Sequence, residues 1–187
     1  AIIQLVSRSM VHIRIPESMM MLALESIHSL SRLSNLWYLP PWLAEGLAEF
    51  YQTFEVVKDR VSIGLPNPWH LRRLQGLTLI PLSQLLEVGF DSPLYNESLR
   101  KSDFYAQSWA VTHYLLLGDA DRRRQLTDYL ARLREGDSPV EAFTNAFPGD
   151  LDTLDGEVRH HIRGPLMPSL QARAELEIDS STRVRDL

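Results

Sequence analysis

The chain has 187 residues, 44% of them hydrophobic, and carries a net charge of −5 from 19 basic and 24 acidic side chains. That length, with a mean hydropathy near zero, suits one well-packed globular domain and argues against disorder. No apolar run approaches the roughly 20 residues that a bilayer-spanning helix needs. The basic residues are scattered apart from Arg72-Arg73 and Arg122 to Arg124, which leaves no basic face for nucleic acid. Absence of Cys excludes disulfides, thiol catalysis and thiolate metal sites, and fits reducing and oxidising compartments alike. Because the chain opens on Ala1 with no leader pattern, its targeting is not readable.

The first sixteen residues are rich in Ile and Val and alternate loosely, which predicts one or two short strands ending at Pro16. Glu17 to Leu33 lacks Pro and Gly and consists of good helix formers, so it reads as one helix. Leu39-Pro40-Pro41-Trp42 interrupts the helical pattern, and proline suits a first turn, so a second helix is expected from Pro41 to Phe54. Leu43, Leu47, Phe50 and Phe54 form its apolar side. Gly46 inside it costs about 1 kcal/mol relative to Ala and implies a packing reason, here a close approach to the preceding helix. Gly64 to Pro68 reads as an irregular loop, Trp69 to Leu74 as a turn of helix, and Pro81 to Leu86 as the opening of another.

Ser102 or Asp103 can cap a strong helix that runs to Leu117 and is ended by Gly118-Asp119. Further helices are expected at Ala120 to Arg134, Pro139 to Phe147 and Leu151 to Ile162. Beyond Pro165 and Pro168 the composition turns polar, and 169–187 reads as a surface helix or tail. The expected fold is mainly α, of α+β type: a helical domain over residues 1–168 with a small N-terminal β remnant, without internal repeats.

Candidate chemistry centres on Leu24-Glu25-Ser26-Ile27-His28. Two imidazoles four residues apart on a helix, with a Glu beside them, form the zinc-binding H-E-x-x-H pattern. The first of those places is Leu24, which has no lone pair to donate. Glu25 and His28 are three apart, a spacing that serves a local hydrogen bond as well as catalysis. Glu45 and Glu49 are four apart and share a helix face, a common arrangement of exposed acidic residues. In a cleft without metal such carboxylates would repel, and would need protonated His28, an Arg or solvent beside them. Tyr105, Trp109 and Tyr114 read as packed aromatics and His113 as a core or boundary histidine. His12, His70, His160 and His161 lack metal-like spacing to His28, although His12 could arrive from the preceding strand.

The strings Trp42-Leu43-Ala44-Glu45-Gly46-Leu47-Ala48-Glu49-Phe50, Phe104-Tyr105-Ala106-Gln107-Ser108-Trp109-Ala110 and His113-Tyr114-Leu115 carry a family likeness, joined by Ile63-Gly64-Leu65-Pro66 between them. Over roughly residues 20 to 165 the chain resembles the peptidase-MA-like domains of the gluzincin type, a group that includes the bacterial domain of unknown function 1570. The resemblance implies a zincin-like scaffold in which His28 and Glu45 are metal ligands and Glu25 is the general base. It also makes Tyr105 the phenol that steadies an oxyanion, and Glu49 the carboxylate that orients an imidazole.

With Leu24 in the missing-ligand position only two protein ligands remain, where zinc normally has at least three. The expectation is therefore a degenerate, non-catalytic metallopeptidase-like domain with zinc weak or absent, and a peptide or protein segment as its partner. Two alternatives stand beside it: an active zinc peptidase that draws a third ligand from elsewhere, and a helical interaction module. A periplasmic or secreted setting follows from the resemblance alone.

Overall fold

The computed structural model describes residues 2–5, 11–14, 39–76, 78–149, 151–173 and 175–178. The predicted helix over residues 17–33 lies outside the described residues. The chain is mainly helical, with two small antiparallel sheets.

Strands β1 (Ile2–Leu5) and β2 (Val11–Arg14) form where the Ile- and Val-rich alternation predicts them. Helix α1 (Pro41–Gln52) starts on its proline and buries Trp42, Leu43, Gly46, Leu47 and Phe50. It stops two residues short of the expected Phe54, because the Thr53 hydroxyl donates 2.7 Å to the Phe50 carbonyl and its backbone N–H also turns back on the last carbonyls. A hairpin follows, β3 (Glu55–Val57) and β4 (Arg60–Ile63), with Lys58 left-handed at φ 56° in its turn.

Helix α2 (Pro68–Gln75) is capped by the Asn67 side chain, which accepts from the Trp69 and His70 N–H groups. Short α3 (Leu82–Leu86) and α4 (Pro93–Asn96) lead to the long α5 (Ser98–Leu117). That helix begins four residues before the predicted cap at Ser102. Lys101 N–H already bonds the Glu97 carbonyl at 2.7 Å, so the chain leaves α4 and enters α5 through Glu97 alone. Helices α6 (Ala120–Glu135), α7 (Pro139–Ala146) and α8 (Leu151–Arg163) follow the expected boundaries within one residue. Asp119 caps α6, Gly136 ends it at φ 102°, and Ser138 caps α7.

The segment expected as a C-terminal helix or tail is instead strand where it is described. β5 (Leu170–Arg173) pairs antiparallel with β4, and β6 (Glu175–Ile178) pairs antiparallel with β2. Alternation in Leu170-Gln-Ala172-Arg and Glu175-Leu-Glu-Ile has the period of two that a strand needs. Two waiting strand edges settle what polar composition leaves ambiguous.

Helix α5 is the central element. Phe104, Trp109, Ala110, Val111, Thr112, His113 and Leu115 along it are fully buried, and α1 packs against it. Gly46 is the reason the two approach so closely: a Cβ there would overlap the Thr112 side chain and the Ser108 carbonyl. Gly46 thus has a packing reason, but the approach shown is to α5; the expected approach to the helix over residues 17–33 lies outside the described residues. Trp42 reaches the other way, packing on the Tyr129 ring at 5.9 Å and edge-on to Phe143 at 6.0 Å, which ties α1 to α6 and α7. Buried Gln107 bonds both backbone groups of Ile80, so one side chain pins the connection before α3 to the middle of α5.

Candidate functional site

The face of α1 that carries Glu45 and Glu49 looks toward α2, α4 and the first half of α5. Because the two glutamates are four residues apart they emerge one turn from each other, yet they meet different partners. Glu45 accepts a 2.7 Å hydrogen bond from the Tyr95 hydroxyl of α4. Tyr105 on α5 sets a second phenol beside this pair, its ring 6.3 Å from that of Tyr95. The Lys101 ammonium sits over both rings, 5.6 Å from Tyr95 and 5.3 Å from Tyr105. Tyr95 holds its proton above the usual phenol range chiefly because it donates it to Glu45. For Tyr105 burial is the larger cause and Glu45 the next, again upward.

Glu49, one turn on, is engaged by an imidazole: His70 Nε2 lies 2.9 Å from its Oε2. The His70 ring leans on Trp109 at 5.4 Å, so α2 is set against α5 by the same residue that reaches α1. Arg73, on the next turn of α2, pairs with Asp103 of α5. Between these helices opens a cleft of about 600 Å³, lined by Glu49, Trp69, His70, Arg72, Arg73, Ser102 and Tyr105.

Of the site residues taken from the sequence, Glu45, Glu49 and Tyr105 therefore belong to one neighbourhood. Leu24, Glu25 and His28 lie outside the described residues. The donors that relieve the two carboxylates are phenols and an imidazole of α2, where sequence reasoning expected His28, an Arg or solvent. Among the described residues no three His, Asp or Glu side chains come together as a metal site. Tyr95 and His70 are the partners of these carboxylates that sequence reasoning missed. Tyr95 is fifty residues from Glu45 and His70 twenty-one from Glu49, across loops whose path no periodicity reveals.

Three further histidines are placed elsewhere. His113 is fully buried in the core, where its Nε2 donates 3.0 Å to the Gly64 carbonyl and its Nδ1 lies 2.8 Å from His161 Nε2. Burial lowers its pKa to about 4, and lowers that of His161 as well. His12 sits in β2, the middle strand of the β1-β2-β6 sheet, opposite Gln4 and Glu177.

A family model described as a protein of unknown function (DUF1570) matches residues 28–141, and the chain belongs to that family. The matched span contains Glu45, Glu49, His70, Tyr95 and Tyr105. No curated protein and no solved structure matches the chain. Among the described residues no helix is long and apolar enough to cross a membrane.

Proposed function

We propose that this chain is a degenerate zinc-metallopeptidase-like domain of the gluzincin type, which keeps the scaffold and a peptide-sized cleft but has an incomplete metal site and no peptidase activity. The observation that carries this reading is the convergence of Glu45, Tyr95 and Tyr105 beside an open cleft, the Tyr95 hydroxyl 2.7 Å from Glu45 and its ring 6.3 Å from that of Tyr105, combined with Leu24 at the place of the first imidazole. The donor set falls short of zinc. His28 and Glu45 make two ligands, a site needs a third, and Glu45 already accepts from a phenol. A second supporting feature is Glu49: in an intact site of this type it would orient an imidazole, and here it holds the imidazole of His70. On this reading the cleft binds an extended peptide or protein segment without cutting it.

Metal analysis of the protein purified without chelator tests the proposal. The expected result is zinc far below one ion per chain, with Leu24→His raising zinc affinity by orders of magnitude. Stoichiometric zinc together with peptidase activity abolished by Glu25→Gln would replace the proposal with an active metallopeptidase drawing a ligand such as His12 from elsewhere. No gain from Leu24→His would favour a helical interaction module with a likeness of architecture only.

A further inference from the structure

Among the described residues, the charged side chains that line the cleft are paired within the protein except for Arg72. Glu49 is held by His70, and Arg73 by Asp103. Arg72 makes no ion pair among the described residues. Its Nε donates 3.3 Å to the Pro68 carbonyl one turn back, and its guanidinium lies 4.6 Å from the centroid of the Trp69 ring. Trp69 is 75% exposed, unusual for a side chain of its size. The backbone contact and the ring together hold the guanidinium plane, leaving its terminal N–H groups without a carboxylate. Orientation of this kind removes part of the entropy that an exposed arginine loses on binding. A flat aromatic carrying a pre-oriented, unpaired guanidinium at the edge of a cleft suits one ligand chemistry: a carboxylate next to an apolar or planar group.

We infer that the Trp69–Arg72 platform is the anchoring subsite of the cleft and takes a carboxylate-bearing residue of a bound peptide, at its C-terminus or on an acidic side chain. The inference rests on the peptide-binding reading above and narrows it. Arg72 holds the carboxylate through paired N–H groups, Trp69 packs against the side chain beside it, and the rest of the peptide runs along the cleft past His70 toward Tyr105. Among the charged side chains that line the cleft, the Glu49–His70 and Arg73–Asp103 pairs leave Arg72 as the cation without a carboxylate, while Lys101 beside Tyr105 lies over the two phenol rings.

The test uses the full chain and short blocked peptides of matched sequence that end in Phe, either as the free carboxylate or as the carboxamide. A second matched set is amidated and carries an internal Glu or Gln. Binding is followed by tryptophan fluorescence and calorimetry. The expected result is about tenfold tighter binding of one carboxylate form over its amide, the scale of one charge-assisted contact. Which set shows the preference distinguishes a chain end from an acidic side chain. Arg72→Gln should abolish the preference while leaving residual binding of both forms, and Trp69→Ala should weaken both forms. As Trp69 and Arg72 are exposed, both variants should fold, which circular dichroism checks. Equal binding of carboxylate and amide, or a preference that survives Arg72→Gln, overturns the anchor while leaving the peptide cleft standing. Inorganic phosphate that competes as well as the peptide at equal concentration overturns the peptide carboxylate as its ligand. Failure of every peptide to bind overturns both the anchor and the peptide-binding reading.

Discussion

The Tyr95 hydroxyl stands 2.7 Å from Glu45 Oε1, so the carboxylate proposed above as a metal-ligand position is engaged by a phenol of α4. Neither residue is fully buried, and the contact is one that a binding event at Glu45 has to displace. In a Leu24→His background, Tyr95→Phe should therefore raise zinc affinity several-fold further, because it frees a carboxylate oxygen. Without metal, the same substitution should lower stability by about 1 kcal/mol, the usual net worth of one hydrogen bond. Zinc titration of the single and double variants checks the first expectation, and a fall in affinity on adding Tyr95→Phe would sink it.

The Glu49–His70 pair links α1 to α2, and both side chains are mostly buried, at 19% and 14% exposed. A double-mutant cycle with Glu49→Gln and His70→Ala should return a coupling of about 1 kcal/mol. Urea unfolding of the four proteins measures it. Additive losses would mean that the contact contributes nothing of its own.

Gly46→Ala should destabilise the fold by about 2 kcal/mol, although alanine is the better helix former by about 1 kcal/mol. The new methyl meets the Thr112 side chain and the Ser108 carbonyl, and a carbonyl within a helix cannot step aside. Adding Thr112→Ala should restore part of the loss and leave the backbone overlap. A rise in melting temperature on Gly46→Ala would show that α1 and α5 separate more easily than their packing implies.

Acid should loosen the core at His113. Its Nε2 faces the Gly64 carbonyl and must carry the hydrogen, so Nδ1 accepts from His161, and a second proton on the His113 ring would point at an N–H. With a folded pKa of about 4 against 6.5 in the unfolded chain, the unfolded state takes up the proton first as pH falls. The stabilising preference for the neutral ring is complete above 6.5 and is lost on descending toward 4. Integrated over that window it amounts to roughly 3 kcal/mol, of which about 2 is gone by pH 5, before most carboxylates titrate. Urea midpoints at pH 7 and pH 5 should show this fall, and His113→Gln should flatten it at the cost of lower stability at pH 7. An undiminished slope in that variant would assign the pH dependence to other groups.

Much of the local structure was legible in the residues alone, since it follows from chemistry within a turn or two of chain. Pro41 opens α1, Gly118 closes α5, and the Ile- and Val-rich start forms strands. The place of Glu45 and Glu49 on one helix, and of Tyr105 on another, was equally readable from spacing. Partners were not. Residues 170–178 carry a pattern too short and polar to choose between helix and strand, and the open edges of β4 and β2 made the choice. Likewise no local rule foretells that Tyr95 should meet Glu45, that His70 should meet Glu49, or that Gly46 should admit Thr112. Helix propensity, capping and turns act over a few neighbouring residues, and the sequence determines them by itself. Which side chain answers a half-buried carboxylate depends on how helices far apart in the chain pack together, and only the tertiary structure decided that.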